Sequence, residues 1–328
     1  MAQRKRRKRG KRTVTIRLTL PQAIVLGLAL FCLIVGLNLG MENGTASVPT
    51  WNDLYQALGF TTTPVETGEL SDQVQAVHFI DVGQGDATLL QSGDTYCLVD
   101  AGEPDSKEAL LSYLEQQGVD HLALLVMSHP HADHIGSMKA VLEQVQVDHV
   151  LLPDLDKAPY PTTRTFEKVM ETIERLQIPT TVSQEGQTFQ LGEGTLEVRF
   201  AGIETDNYND LSQILYYHAP GLSVVLSGDA EKDLEQQALE QGVVPKAQVY
   251  KAAHHGSNTS NSMDYLEAIQ PQWIVVSCGK DNSYGHPHKE PMQRFGQIGA
   301  EILRTDQNGS VVIAATENGL QSYTANAA

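Results

Sequence analysis

The chain changes rhythm repeatedly from its first residue to its last. Residues 18–41 carry no charged side chain, and AIVLGLALFCLIVGL (23–37) is apolar throughout. Roughly 20 apolar residues at ~1.5 Å each cross the ~30 Å hydrocarbon core, so this run predicts a single N-terminal transmembrane helix. Residues 42–73 are polar and rich in Thr and Pro, and read as a linker. From Gln75 the texture becomes that of a folded domain. QAVHFIDVGQGDATLLQSGDTYCLVDAG sets short apolar runs between GQGD and SGD turns, the pattern of a strand meander. KEALLSYLEQQG has helical apolar spacing and stops at a Gly, and LALLVMSH reads as one buried strand. Helix and strand signals then alternate: MKAVLEQV, DHVLLP, RTFEKVMETIERL, then the strands LEVRF, SQILYY and LSVVLSGD. The helix DLEQQALEQG, the strand AQVYKAAHH, a helix at MDYLEAI and the strand WIVVS follow. Mixed sheets with helices outside them, an αββα layering of the α/β class, fit this order.

Charge sharpens the division. Nine of the 23 Lys and Arg lie in the first 17 residues, and no Asp or Glu precedes Glu42. Residues beyond 40 carry 14 basic against 40 acidic side chains, a net of −26. A basic head (1–17), an anchor (18–41), a linker (42–73) and a domain (74–328) are the expected units. The positive-inside rule places the head in the cytoplasm and the domain outside a cell membrane spanned once. The small residues Thr45–Ser47 keep a cleaved signal peptide, and so a secreted domain, open as the alternative. Three cysteines, Cys32, Cys97 and Cys278, are too few and scattered for a disulfide framework, though one Cys97–Cys278 bridge stays open. No CxxC pair offers thiolate zinc chemistry. Nothing in the sequence points to a protein partner.

Candidate chemistry gathers where the apolar strands end. SHPHADHIGS follows LALLVM and brings His129, His131, Asp133 and His134 into six positions. Imidazoles with a carboxylate suit zinc, manganese or iron. LSVVLSGD ends on Asp229, AQVYKAAHH on His254 and His255, and SYGHPH carries His286 and His288 after WIVVS. Alone, Asp229 is as readily a helix cap and His286 a surface residue. Recurrence at successive strand ends is what argues for a shared site.

Those residues carry a resemblance. HFIDVGQGDATLL, SHPHADHIGS, VVLSGD, KAAHHGSNTS, NSYGHPH and RTDQNGS stand in one order over residues 75–324. Together they resemble the metallo-β-lactamase fold, and more narrowly the extracytoplasmic hydrolase domain of ComEC-type competence proteins. The large multi-span channel of a competence protein is absent from this sequence, so no transport role carries over. The resemblance implies two divalent metal ions, zinc or manganese. His129 and His131 would hold the first, Asp133 and His134 the second, and Asp229 would bridge them. His254 or His255 would complete the second site, with His254 preferred. The wider fold adds a further histidine to the first site, for which this chain offers only His149 and His218, both poorly placed. An Asn/Ser-rich segment, Asn209–Ser212, stands there instead, so the first site is expected to be the weaker.

Two cations can share and acidify a water and hold an ester oxyanion. Asp133 is the expected orienting group for the nucleophile. His286, preceded by Tyr284 and Gly285, is expected to stabilise the phosphoryl oxygen or protonate the leaving group. Asp81, Asp86 and Asp100 are expected as outer carboxylates around a GQGD turn beneath the site, each equally readable as a turn or strand-end cap, and Asp306 more weakly so. The expected substrate is a phosphodiester, in DNA or in a cell-envelope polymer. The −26 charge argues against a polyanion without excluding a local groove. A metal-stabilised binding, scaffold or sensor module with little turnover, or a lactonase or thioesterase, are the rival readings.

Overall fold

The computed structural model describes residues 74–325. The head, anchor and linker expected over 1–17, 18–41 and 42–73 lie outside the described residues.

β1 (Gln75–Phe79), β2 (Thr88–Ser92) and β3 (Thr95–Val99) form the expected antiparallel meander. After α1 (Lys107–Gln116), the run expected as one strand splits into β4 (His121–Leu122) and β5 (Leu124–Val126). It splits because its two halves have different partners. The first pairs with β6 (Gln146–Val147), which follows α2 (Ala132–Ile135) and α3 (Met138–Gln144), and the second pairs with β3. β7 (Val150–Leu152), α4 (Arg164–Leu176) and β8 (Thr180–Val182) complete the first half. The bounds of α4 match its sequence pattern: Phe166, Val169 and Ile173 recur on one buried face, and the Thr163 side chain accepts the Phe166 N–H at 3.3 Å.

The second half runs through β9 (Thr188–Leu191), β10 (Gly194–Phe200), β11 (Ile214–Ala219), β12 (Leu222–Leu226) and α5 (Lys232–Glu240). β13 (Val249–Lys251), α6 (Met263–Ile269) and β14 (Trp273–Val276) follow. The apolar pattern names none of the elements after these. They are α7 (Lys289–Gln297), β15 (Glu301–Arg304), α8 (Thr305–Asn308), β16 (Val311–Thr316) and β17 (Gly319–Thr324).

Among the described residues two large sheets result, in the orders β17-β16-β1-β2-β3-β5-β7-β8 and β15-β14-β13-β12-β11-β10-β9, beside the two-stranded β4-β6 pair. Each is antiparallel in one half and parallel in the other. Their inner faces meet in an apolar layer that includes Phe79, Val126, Val224 and Val275. The outer face of the first sheet packs on α1, α3 and α4 through Leu110, Val141 and Phe166, and that of the second on α5, α6 and α7 through Leu234, Leu266 and Phe295. This is the αββα sandwich expected. Its parallel strands β3, β5, β12 and β13 deliver their C-terminal ends to one rim, where a layered α/β fold places its ligands.

The membrane placement is corrected here. Among the described residues no helix is long and apolar enough to cross a membrane. The longest of them, α4, has 13 residues and at ~1.5 Å each reaches only ~20 Å, with a polar outer face. The single-pass cell-membrane localisation read from the sequence thus finds no support in the fold. The Cys97–Cys278 bridge is also corrected: both thiols are free and buried. Cys97 belongs to the inter-sheet layer and Cys278 faces Asp306 at 3.4 Å.

Candidate metal centre

Each strand end contributes a defined piece. β3 leads directly into Asp100, which adopts φ 61 and turns its carboxylate back toward the end of β5. There it accepts the Ser128 N–H at 2.9 Å and the Ser128 hydroxyl at 2.6 Å, and His134 Nδ1 lies at 2.8 Å. His134 therefore holds a proton on Nδ1 and turns Nε2 toward Asp229. Ser128 gives its own proton to Asp100, so its oxygen accepts from His129 Nδ1 at 3.1 Å and leaves His129 Nε2 bare. His255 is fixed likewise, with Nδ1 3.0 Å from the Ser277 carbonyl oxygen at the end of β14. The GQGD turn does run beneath the site. Asp86 N–H donates to the Asp133 carbonyl at 3.1 Å, and a side chain on Gly85, whose φ is +139°, would collide with that carbonyl.

The ligand-capable atoms of Asp133, His134, Asp229 and His255 lie within 4.8 Å of one another, and so do those of His129, His131 and Asp229. Asp229 belongs to both groups. His129 Nε2 and His131 Nδ1 stand 3.1 Å apart. His134 Nε2, His255 Nε2 and Asp229 Oδ1 are buried without a conventional hydrogen bond, with His134 Nε2 and Asp229 Oδ1 3.2 Å apart as an ion pair. Buried polar atoms converging in this way are costly unless protons or a metal cation join them. The donor set fits one, because imidazoles and carboxylates suit divalent transition metals.

Proton affinities follow from the same crowding. Burial alone would lower His134, but Asp229 and Asp100 outweigh it and hold the imidazole well above its ordinary value. Burial would also lower His255, yet Asp229 and Asp86 hold it up at about 10. Burial would raise Asp229, but His134 and His255 keep it well below the usual carboxylate range. His129 goes the other way, pushed well down by burial and by the charge of His134. Without a cation, protons on His134 and His255 balance the carboxylates. Cation binding therefore competes with those protons.

The expected residues sort clearly. His129, His131, Asp133, His134, Asp229 and His255 come together. His254, the preferred candidate, stands outside both groups, and His255 occupies the place beside Asp133, with Nε2 3.4 Å from Asp133 Oδ2. Asp100 and Asp86 support His134 and His255. Asp86 also pairs with Lys251 at 2.7 Å. Asp81 takes its structural reading: it accepts the Gly83 N–H within its own turn. Asp306 binds Arg304 through both oxygens. His149 bonds Thr181 and His218 is exposed, so neither reaches the site. In their stead Ser212 Oγ accepts the Asp229 N–H at 3.0 Å and lies 3.4 Å from His129 Nδ1.

His286 forms a wall beside this centre. Its ring stacks on Tyr284 at 5.6 Å and stands near His255 at 5.9 Å, and its buried Nδ1 has no partner. Burial, with the charges of His255 and His254, lowers it to about 4. At neutral pH it is a neutral hydrogen-bonding group and not a cation. Tyr284 is 61% exposed at the mouth. The sequence reading missed Lys251, Glu231 and Thr259. A lone lysine inside the apolar run AQVYKAA signals a buried ion pair, and Glu231 follows Asp229 by two positions. Thr259 has no comparable signal.

The profile of the metallo-beta-lactamase superfamily matches residues 80–277. ComE operon protein 3 of Bacillus subtilis (strain 168) is 28% identical over 256 residues, 72% of this chain and 32% of that protein. Competence protein ComA of Neisseria gonorrhoeae is 26% identical over 249 residues, 75% of this chain and 33% of that protein. The chain thus spans about a third of the length of these curated relatives. Among solved structures, the metallo-beta-lactamase fold protein YhfI from Bacillus subtilis is similar with a TM-score of 0.49 at 14% identity, covering 76% of this chain and 99% of that one.

Proposed function

Because this chain belongs to the metallo-beta-lactamase superfamily, we propose that it is a metal-dependent hydrolase of phosphodiesters, with DNA or a cell-envelope polymer as substrate. The observation that carries this reading is the gathering of six buried or half-buried ligands into two groups that share Asp229. His129, His131 and Asp229 would hold one divalent cation, and Asp133, His134, Asp229 and His255 a second, zinc or manganese in each. Bound there, the cations would supply Lewis acidity and an ionised water near neutral pH.

The protein's own groups set the rest. Asp100, Ser128 and the Ser277 carbonyl hold Nδ1 of His134, His129 and His255, so that each Nε2 is the nitrogen turned to the centre, where a cation displaces any proton it carries. Asp133 presents a carboxylate that is 23% exposed toward the cleft and orients the attacking nucleophile. His286, neutral, donates its N–H to a phosphoryl oxygen of the ester. Tyr284 offers a flat ring at the mouth, against which a base or aryl group can lie. One of the relatives is named a competence protein, which supports trying DNA first.

The test is hydrolysis by the full-length protein. Turnover of a bis-aryl phosphate, and then of DNA and envelope polymers, should vanish on chelation and return with zinc or manganese. Asp229→Asn should lose about a hundredfold or more. Turnover that survives complete metal removal would sink the reading.

A further inference from the structure

Asp229 sorts four histidines by its two oxygens. Oδ1 lies 3.2 Å from His134 Nε2 and 3.7 Å from His255 Nε2. Oδ2 lies 3.8 Å from His129 Nε2 and 3.8 Å from His254 Nε2. Resting on the two-cation reading above, we infer that His254 supplies the missing ligand of the first cation, on the Oδ2 side, alongside His129 and His131. The paired histidines His254 and His255 then serve one cation each, and the chain needs no histidine at the place held by Ser212.

The hydrogen bonds of His254 show which nitrogen it offers. Its Nδ1 lies 3.3 Å from Glu231 Oε1 and 3.2 Å from Thr259 Oγ1. The Thr259 hydroxyl gives its proton to that same Glu231 oxygen at 3.1 Å, so both neighbours accept from Nδ1–H. Nε2 is left as a bare lone pair facing a carboxylate oxygen. A cation between that nitrogen and Asp229 Oδ2, 3.8 Å apart, would be held by both. His134 and His255 are prepared the same way, with Nδ1 on Asp100 and on the Ser277 carbonyl. Glu231 also accepts from Asn209 at 3.0 Å, and the Asn209 side chain reaches His131. One carboxylate thus braces two ligands of the same cation.

The backbone is shaped for the division. His254 has φ 50, ψ 46 and His255 φ 53, ψ 26, two successive non-glycine residues in the left-handed region. Such a backbone is strained for a residue with a side chain, and the strain persists where the surroundings demand it. Here it turns both rings, 6.2 Å apart at 71°, toward Asp229. A regular strand would send them to opposite faces.

The test is cobalt(II) titration of the metal-stripped full-length protein, read by calorimetry and by the visible absorption of bound cobalt. The wild-type protein should take up two ions. His254→Asn, chosen because Asn tolerates the left-handed backbone, should keep one ion at wild-type affinity and weaken the other at least tenfold. Glu231→Gln should weaken that same ion by about tenfold, and His255→Asn should weaken the other one. If His254→Asn and Glu231→Gln both bind two ions with wild-type affinity and spectrum, the inference is overturned while the two-cation reading stands. A wild-type protein that takes up only one ion overturns that reading, and this inference with it.

Discussion

Lys251 Nζ donates to Asp86 Oδ2 at 2.7 Å, and both side chains are closed off from solvent. The ammonium also donates to the Ala252 carbonyl at 2.8 Å, while Asp86 Oδ1 faces His255 Nδ1 at 3.4 Å. Burial would raise Asp86, but Lys251 and His255 hold it down at about 2, so the pair is ionic inside the protein. Removing one partner strands a charge. Lys251→Met should cost about 3–5 kcal/mol of unfolding free energy, and Lys251→Met with Asp86→Asn distinctly less. Urea unfolding of the two variants measures this. A single-variant loss under about 1 kcal/mol would mean that the pair is not closed off as described.

Asp100 sets the tautomer of His134 without reaching the centre itself. Asp100→Asn keeps the side-chain shape and suits the left-handed backbone at φ 61, but it removes the second carboxylate oxygen and the charge. Metal affinity should fall about 10–100-fold with folding intact. Competition against a chromophoric chelator reads the affinity. An unchanged constant would show that Ser128 alone suffices to orient the ring.

Much of this arrangement is legible in the sequence, for identifiable reasons. β1, β12 and β14 are wholly or largely buried, so continuous apolar runs mark them. α4 shows its bounds because a Thr cap and a single apolar face coincide. HxHxDH announces itself by composition. What stayed hidden depends on backbone geometry or on distant partners. The choice between His254 and His255 turns on two positive φ angles that no periodicity reports. β8 and β9 are short, exposed edge segments with no strong apolar signal. α7 reads KEPMQRFGQ, mostly polar, with Pro in its first turn where it costs the helix nothing.

Gly85 tests the turn beneath the site. Its φ of +139° is open only to glycine, and a Cβ there would run into the Asp133 carbonyl. Gly85→Ala should therefore cost about 1–3 kcal/mol and displace Asp133. Metal affinity should fall together with stability. Full affinity in a destabilised Gly85→Ala would show that Asp133 does not depend on the turn.

His78 lies far from this chemistry, on β1, and gives the fold its own acid limit. Its Nε2 donates to Gln91 Oε1 at 3.0 Å and its Nδ1 accepts from the Tyr113 hydroxyl at 2.9 Å. The site is complete only for neutral imidazole, and burial lowers the group to about 4 from an ordinary 6.5. The sign follows from where protons bind. Below pH 6.5 the unfolded chain takes up a proton that the folded chain refuses, so stability is full above that pH. It is lost as the pH falls toward 4, by about 2 kcal/mol at pH 5 and about 3 in all. His78→Gln carries no titrating group and should lose that much less between pH 7 and pH 5 in urea unfolding. The metal-centre histidines, common to both proteins, cancel in the comparison. Parallel losses in the two proteins would show that His78 is protonated in the folded state and that its hydrogen bonds run otherwise.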